Sequence, residues 1–119
     1  MTPTDDDPDL PVWDEDAALA SVGGNRALAL SLLKGLCATL PHELSLLRER
    51  HADGDLPGTA EQAHHISGGA AYCGVHALRS RLTLLEQRAR AGDVNGCRIA
   101  LSAVDAEATR LLAFSEDLS

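Results

Sequence analysis

Aromatic residues are almost missing from this chain: Trp13, Tyr72 and Phe114 stand alone, 3% of 119 residues. The core must then be built from aliphatic side chains, and the recurrent Leu and Ala favour helices over strands, so the composition points to an all-α protein. Cysteine is scarce as well. Cys37, Cys73 and Cys97 are an odd number with no CxxC spacing, which argues against a disulfide framework or a metal site and leaves buried thiols. No apolar run approaches the roughly 20 residues that cross a bilayer, and the N-terminus lacks the basic and then apolar order of a signal peptide. A soluble, cytoplasmic chain with no membrane partner is expected. Positive charge is also short, with 10 Lys and Arg against 18 Asp and Glu and a formal net charge of -8. A nucleic-acid binder needs a basic face to displace counterions, so that class of partner is excluded.

What is present fits one domain, since 119 residues with 45% apolar content can bury a single core. Asp5, Asp6, Asp7 and Asp9 lie in a Pro-interrupted stretch too polar for a core, and residues 1–11 read as a disordered acidic tail before a domain over 12–119. The opening Met1 and this tail favour an independent protein over a segment of a larger one. Asp14 can cap a short helix that ends at Gly23 and Gly24, and Asn25 can cap the next. Leu28, Leu32, Leu33, Leu36, Leu40, Leu44 and Leu47 then recur at helical spacing, with Pro41 expected to kink or break the helix. His51 to Gly58 reads as a loop, and Thr59 with Gln62 as a capping box. Ala60, Ala63, Ile66, Ala70 and Cys73 make the inward stripe of the helix that follows, which ends near Gly74. Val75, Leu78, Leu82 and Leu85 mark another helix, and Val94, Cys97, Leu101, Val104, Ala108 and Leu111 the last. Short turns between long helices predict an antiparallel up-and-down four-helix bundle with an additional short N-terminal helix.

The chemistry lies in residues 60–74, AEQAHHISGGAAYCG, where two adjacent histidines precede Ser67, Gly68, Gly69, Ala70 and Ala71. A glycine inside a helix costs about 1 kcal/mol relative to alanine, so two in succession suggest close approach by another surface. At about 100° per residue, His64 lies about 120° from the centre of the inward stripe. That puts His64 on an accessible flank, with Ser67, Gly68 and Ala71 as its neighbours at i+3, i+4 and i+7. No phosphate-binding loop of the GxxxxGKS type and no glycine-rich nucleotide box accompanies it, so autokinase activity is not expected. His42, His51 and His76 are scattered in spacings that match no compact ligand set, and no metal site is expected.

The run His64, Ile66, Ser67, Gly68, Gly74, Leu78, Leu85, Glu86 resembles the signature of histidine phosphotransfer (HPt) domains. That signature is a phosphorylated histidine followed by an apolar residue at +2, usually a basic residue at +3, Gly at +4 and +10, and a leucine helix ending in Leu-Glu. The likeness extends through Tyr72-Cys73-Gly74-Val75 and Glu86-Gln87-Arg88 and is greatest to the HPt domains that end hybrid sensor kinases of the BarA and GacS kind. It implies a four-helix bundle in which His64 is the phosphoacceptor. The phosphoryl group comes from an aspartyl phosphate on a receiver domain of a hybrid sensor kinase and passes to a response regulator. No cofactor is implied on this chain; Mg²⁺ is expected on the partner receiver. The implied protein is a monomer, with receiver docking at Glu61, His65, Ser67, Gly68, Ala71 and Glu86. Glu86, 22 residues after His64, is placed to hold one ring nitrogen or to stand as an exposed charge. Ser67 departs from the pattern, standing where a cation usually faces the phosphoryl group, and His65, His76 or Arg79 are the substitutes at hand. That departure motivates an alternative: an HPt-like interaction module that binds a receiver or kinase without accepting phosphate.

Overall fold

The computed structural model describes residues 10–118, so the predicted tail, apart from Leu10 and Pro11, lies outside the described residues. Asp14 accepts a hydrogen bond from the Ala17 backbone N–H at 3.0 Å and opens α1 (Glu15–Ser21). Asn25 does the same for Leu28 N–H at 3.0 Å and opens α2 (Arg26–Ala52). Neither helix start departs from the sequence reading. Pro41, however, does not break α2, which runs unbroken on both sides of it. The missing N–H and the ring of an interior proline cost about 3 kcal/mol, and the buried stripe Leu33, Cys37, Leu40, Leu44 and Leu47 holds the helix together across the site.

The predicted loop over residues 51–58 shrinks to a tight turn, because α3 (Leu56–Tyr72) begins three residues before Thr59. Asp55, not Thr59, is the cap, accepting from Gly58 N–H at 2.8 Å. Pro57 falls in the first turn, where a backbone N–H has no intrahelical partner to lose, so the Leu-Pro-Gly run that reads as a loop is a helix start. Thr59 is fully buried and returns its hydroxyl to the Asp55 carbonyl at 2.7 Å, while Gln62 reaches across to Glu43 on α2. The remaining helices, α4 (His76–Arg90) and α5 (Val94–Asp117), follow the expected boundaries.

Helix α2 packs on α3, α3 on α4, α4 on α5, and α5 returns to α2, closing a four-helix ring against which α1 lies along α2. Its core is aliphatic: Leu33, Leu40, Leu47, Leu78, Leu82, Leu85, Val104 and Leu111 are essentially inaccessible, and the three thiols are free and buried. Leu32 and Leu36 of the predicted stripes are only partly buried, and two further stripe residues are exposed. Leu28 and Val94 are 43% and 63% exposed, each in the first turn of its helix, where fewer neighbours reach to cover it.

The α3–α4 turn sets how the site is presented, and the segment before α1 clamps it. Trp13 Nε1–H donates to the Cys73 carbonyl at 2.9 Å, Asp14 N–H donates to the Gly74 carbonyl at 2.8 Å, and the Trp13 ring lies against Phe114. Gly74 has φ +78°, and a Cβ there would stand 2.6 Å from the Asp14 carbonyl oxygen. Gly74→Ala should therefore destabilise the fold by about 1–3 kcal/mol, the range for backbone strain of this kind. Urea unfolding measures it; a midpoint equal to that of the unsubstituted chain would show that the turn does not need this conformation.

Candidate functional site

His64 sits mid-way along α3 with its side chain 72% exposed, because Ala63, Ile66 and Ala70 take the inward face and turn position 64 outward toward the α4 flank. The antiparallel return of α4 then brings Glu86 opposite. His64 Nδ1 lies 3.0 Å from Glu86 Oε1, so the alternative in which Glu86 is a free surface charge is set aside. The second carboxylate oxygen accepts from Arg90 Nε at 2.9 Å, one helical turn on along α4.

Burial, with only 18% of the Glu86 side chain exposed, pushes its carboxyl up. The hydrogen bonds from Arg90 and His64, with the charges behind them, more than offset this and leave the pKa below the ordinary carboxylate value. Glu86 is therefore an anion near neutral pH and can only accept. The hydrogen between it and His64 must then be carried by Nδ1, and in the neutral ring the lone pair is left on Nε2, the nitrogen away from Glu86. The arrangement delivers an exposed imidazole with fixed orientation and one free nucleophilic nitrogen.

The other predicted residues divide. Gly68 is exposed on the outer face and open, with nothing within 4 Å of where a Cβ would be; Ala71 is half-buried and Glu61 exposed. His65 is exposed but leans the other way, 3.8 Å from Glu43 on α2. Ser67 needs correction. It is buried, 9% exposed, and its hydroxyl donates to the His64 backbone carbonyl at 2.8 Å, so it is not part of the open flank. Beside His65 a cleft of about 220 Å³ runs between α2 and α3, floored by Leu36, Leu40 and Ile66. A larger cleft of about 330 Å³, between α4 and α5 at Leu84, Arg88 and Ile99, shares no residue with the His64 site.

Two groups at the site went unnoticed in the sequence. Arg90 had a signal, the i, i+4 spacing from Glu86 that places a guanidinium beside a carboxylate on one helix face. Glu43 had none, because its contacts with Gln62 and His65 depend on how α2 lies against α3.

Comparison with known proteins identifies the family of the chain. The Hpt domain family model matches residues 31–114 and so includes His64, Gly68, Gly74, Glu86 and Arg90. Over 82 residues, 66% of this chain, it is 34% identical to the sensor protein GacS of Pseudomonas syringae pv. syringae. Over 83 residues, also 66% of the chain, it is 32% identical to the sensor histidine kinase GacS of Pseudomonas protegens. In each case the matched region is 9% of the relative's length. No solved structure matches. With the family model spanning most of its length, the chain belongs to the Hpt domain family, the phosphotransfer modules of two-component systems.

Proposed function

We propose that this protein accepts a phosphoryl group from the aspartyl phosphate of a receiver domain onto Nε2 of His64 and passes it to the aspartate of a response regulator. One observation carries the reading: an exposed imidazole whose Nδ1 is committed to Glu86 at 3.0 Å, leaving Nε2 as the free nucleophile. In the transfer the Nε2–P bond forms as the P–O bond to the aspartate breaks, and the electron pair leaves with the aspartate carboxylate. The proton on Nδ1 stays in place. Glu86 faces the positive charge that the ring gains and holds that proton. Transfer through a loose transition state is mainly a matter of positioning and charge neutralisation, and the receiver's own Mg²⁺ would supply much of the latter. The chain acts as a carrier without kinase activity of its own, as a monomer in the cytoplasm.

The docking surface is the outer face of α3 around His64, formed by Glu61, His65, Gly68 and Ala71 with Glu86 behind. Gly68 supports this independently. Its backbone is helical and a Cβ would meet nothing within 4 Å, so the chain's own packing does not require glycine there. On the same outer face as His64, that open backbone leaves room for a surface that approaches from outside. The buried Ser67 favours the alternative of a binding module that takes no phosphate, since no cation stands there.

Incubation with a receiver domain phosphorylated by acetyl phosphate separates the two. Acid-labile, base-stable label should appear on the chain, persist in His65→Gln and vanish in His64→Gln; label on the His64→Gln protein would overturn the assignment, and binding without label would favour the alternative. Gly68 yields a second prediction, in which stability and transfer move in opposite directions. Gly68→Ala should stabilise the fold by about 0.5–1 kcal/mol, whereas Gly68→Gln should remain folded and lose receiver binding. Unaltered transfer by the Gln variant would remove the argument for close approach.

A further inference from the structure

We infer that the cleft between α2 and α3 is a subsite for one basic side chain, lysine or arginine, of a docked receiver, and that Glu43 and Thr39 on α2 select it. The inference rests on the proposed docking of a receiver at His64. A specific interface covers about 800 Å² on each partner, equivalent to a disc of about 16 Å radius. The cleft begins at His65, next in sequence to His64, so a receiver centred on the phosphoacceptor covers it.

The polar groups of the cleft are acceptors. Gln62, only 9% exposed, fixes Glu43 by donating from Nε2 to both its carbonyl and its Oε2. Glu43 Oε1 has no hydrogen-bond donor among the described residues, and 24% of the side chain remains exposed. Thr39 commits its one hydroxyl hydrogen to the Leu36 carbonyl at 3.1 Å, so its oxygen has only lone pairs left to offer. His65 Nε2 stands 3.8 Å from Glu43 Oε2, beyond hydrogen-bond reach. Among the described residues no Lys or Arg lines the cleft, and α3 carries none along its length. A partner that excludes water from these acceptors must replace it with donors or lose free energy. Opposite a carboxylate, the best replacement carries positive charge.

The shape adds a second requirement. Leu36, Leu40 and Ile66 give the cleft an apolar floor, on which the methylenes of lysine or arginine can lie while the charged head meets Glu43 and Thr39. A purely apolar side chain would suit the floor and leave both acceptors without donors. Gly69 keeps the cleft open. A Cβ there would meet Leu36 Cδ1 at 3.6 Å, so a longer side chain at this position would extend over the floor. The two successive glycines thus serve different spaces: Gly68 the flank of His64, and Gly69 the cleft. The formal net charge of -8 also suits a partner that presents basic groups.

The test separates binding from transfer in the full chain. Calorimetry with an unphosphorylated receiver domain gives the Kd, and the same domain phosphorylated by acetyl phosphate gives transfer. Glu43→Gln keeps an acceptor for Gln62 and removes the charge; it should raise both the Kd and the receiver concentration for half-maximal transfer by about tenfold, an effect that shrinks in high salt. The maximal rate should not change, because the lost contact is made equally before and during transfer. Gly69→Leu, which fills the cleft, should weaken binding without that salt dependence. Glu43→Lys should bind best to a receiver in which one lysine or arginine has been replaced by glutamate. Glu116→Gln, an equal loss of charge on α5, is the control and should bind as the unsubstituted chain does. Helical content and thermal midpoint confirm that each variant is folded. If the unsubstituted chain takes label and Glu43→Gln binds the receiver equally tightly, the inference is overturned while the phosphoacceptor reading stands; weakening in Gly69→Leu alone would then identify an apolar occupant. If Glu43→Gln weakens binding but the unsubstituted chain takes no label, the subsite stands and the phosphoacceptor reading falls. If the unsubstituted chain binds no receiver, both fall.

Discussion

One hydrogen bond, from His64 Nδ1 to Glu86 Oε1, couples the α3–α4 hairpin to the chemistry, and its geometry constrains much else in the structure. The two residues are 22 positions apart, so they meet only if the turn between their helices has a fixed length and course. Gly74 provides that course through its positive φ, and Trp13 and Asp14 hold the turn by hydrogen bonds to the Cys73 and Gly74 carbonyls. The short segment before α1 thus sets a site that it does not touch. Its influence runs through the register of a helix pair.

The same bond contributes little to stability. His64 is largely exposed, and a hydrogen bond or ion pair in such a setting adds at most about 1 kcal/mol. Stability comes from the aliphatic core, where seven leucines and two valines are less than 2% exposed. This separation of roles makes chemical sense. The core fixes where α3 and α4 lie, which allows the outer flank to carry an uncovered histidine and an unfilled Gly68 that a flank optimised for stability would not retain.

The order of helices, the Asp14 and Asn25 caps and most of the inward stripes were legible in the sequence because helix periodicity and capping chemistry are local. Three features were not. Leu56, Pro57 and Gly58 read as a loop, since Pro and Gly signal a turn unless the proline falls in the first turn of a helix, and only the position of the Asp55 cap decides that. Pro41 read as a kink or a break, yet α2 runs through it unbroken, held by the burial of Leu40 and Leu44, a tertiary effect. Ser67 read as open, because a helical wheel gives angle but not the depth to which the neighbouring helix covers that angle. The site itself was half legible. Its histidine and glycines announce themselves by type and spacing, whereas the bond to Glu86 depends on hairpin register, and the roles of Arg90 and Glu43 emerge only once the helices are packed.

The account depends on which ring nitrogen of His64 carries the proton, and nitrogen-15 NMR of the ring observes this directly. In the resting protein above the imidazole titration, Nδ1 should give the shift of a protonated nitrogen and Nε2 that of a free lone pair, with phosphorus coupling to Nε2 after transfer. A proton on Nε2, or phosphorus bonded to Nδ1, would contradict the role assigned to Glu86 and with it the mechanism.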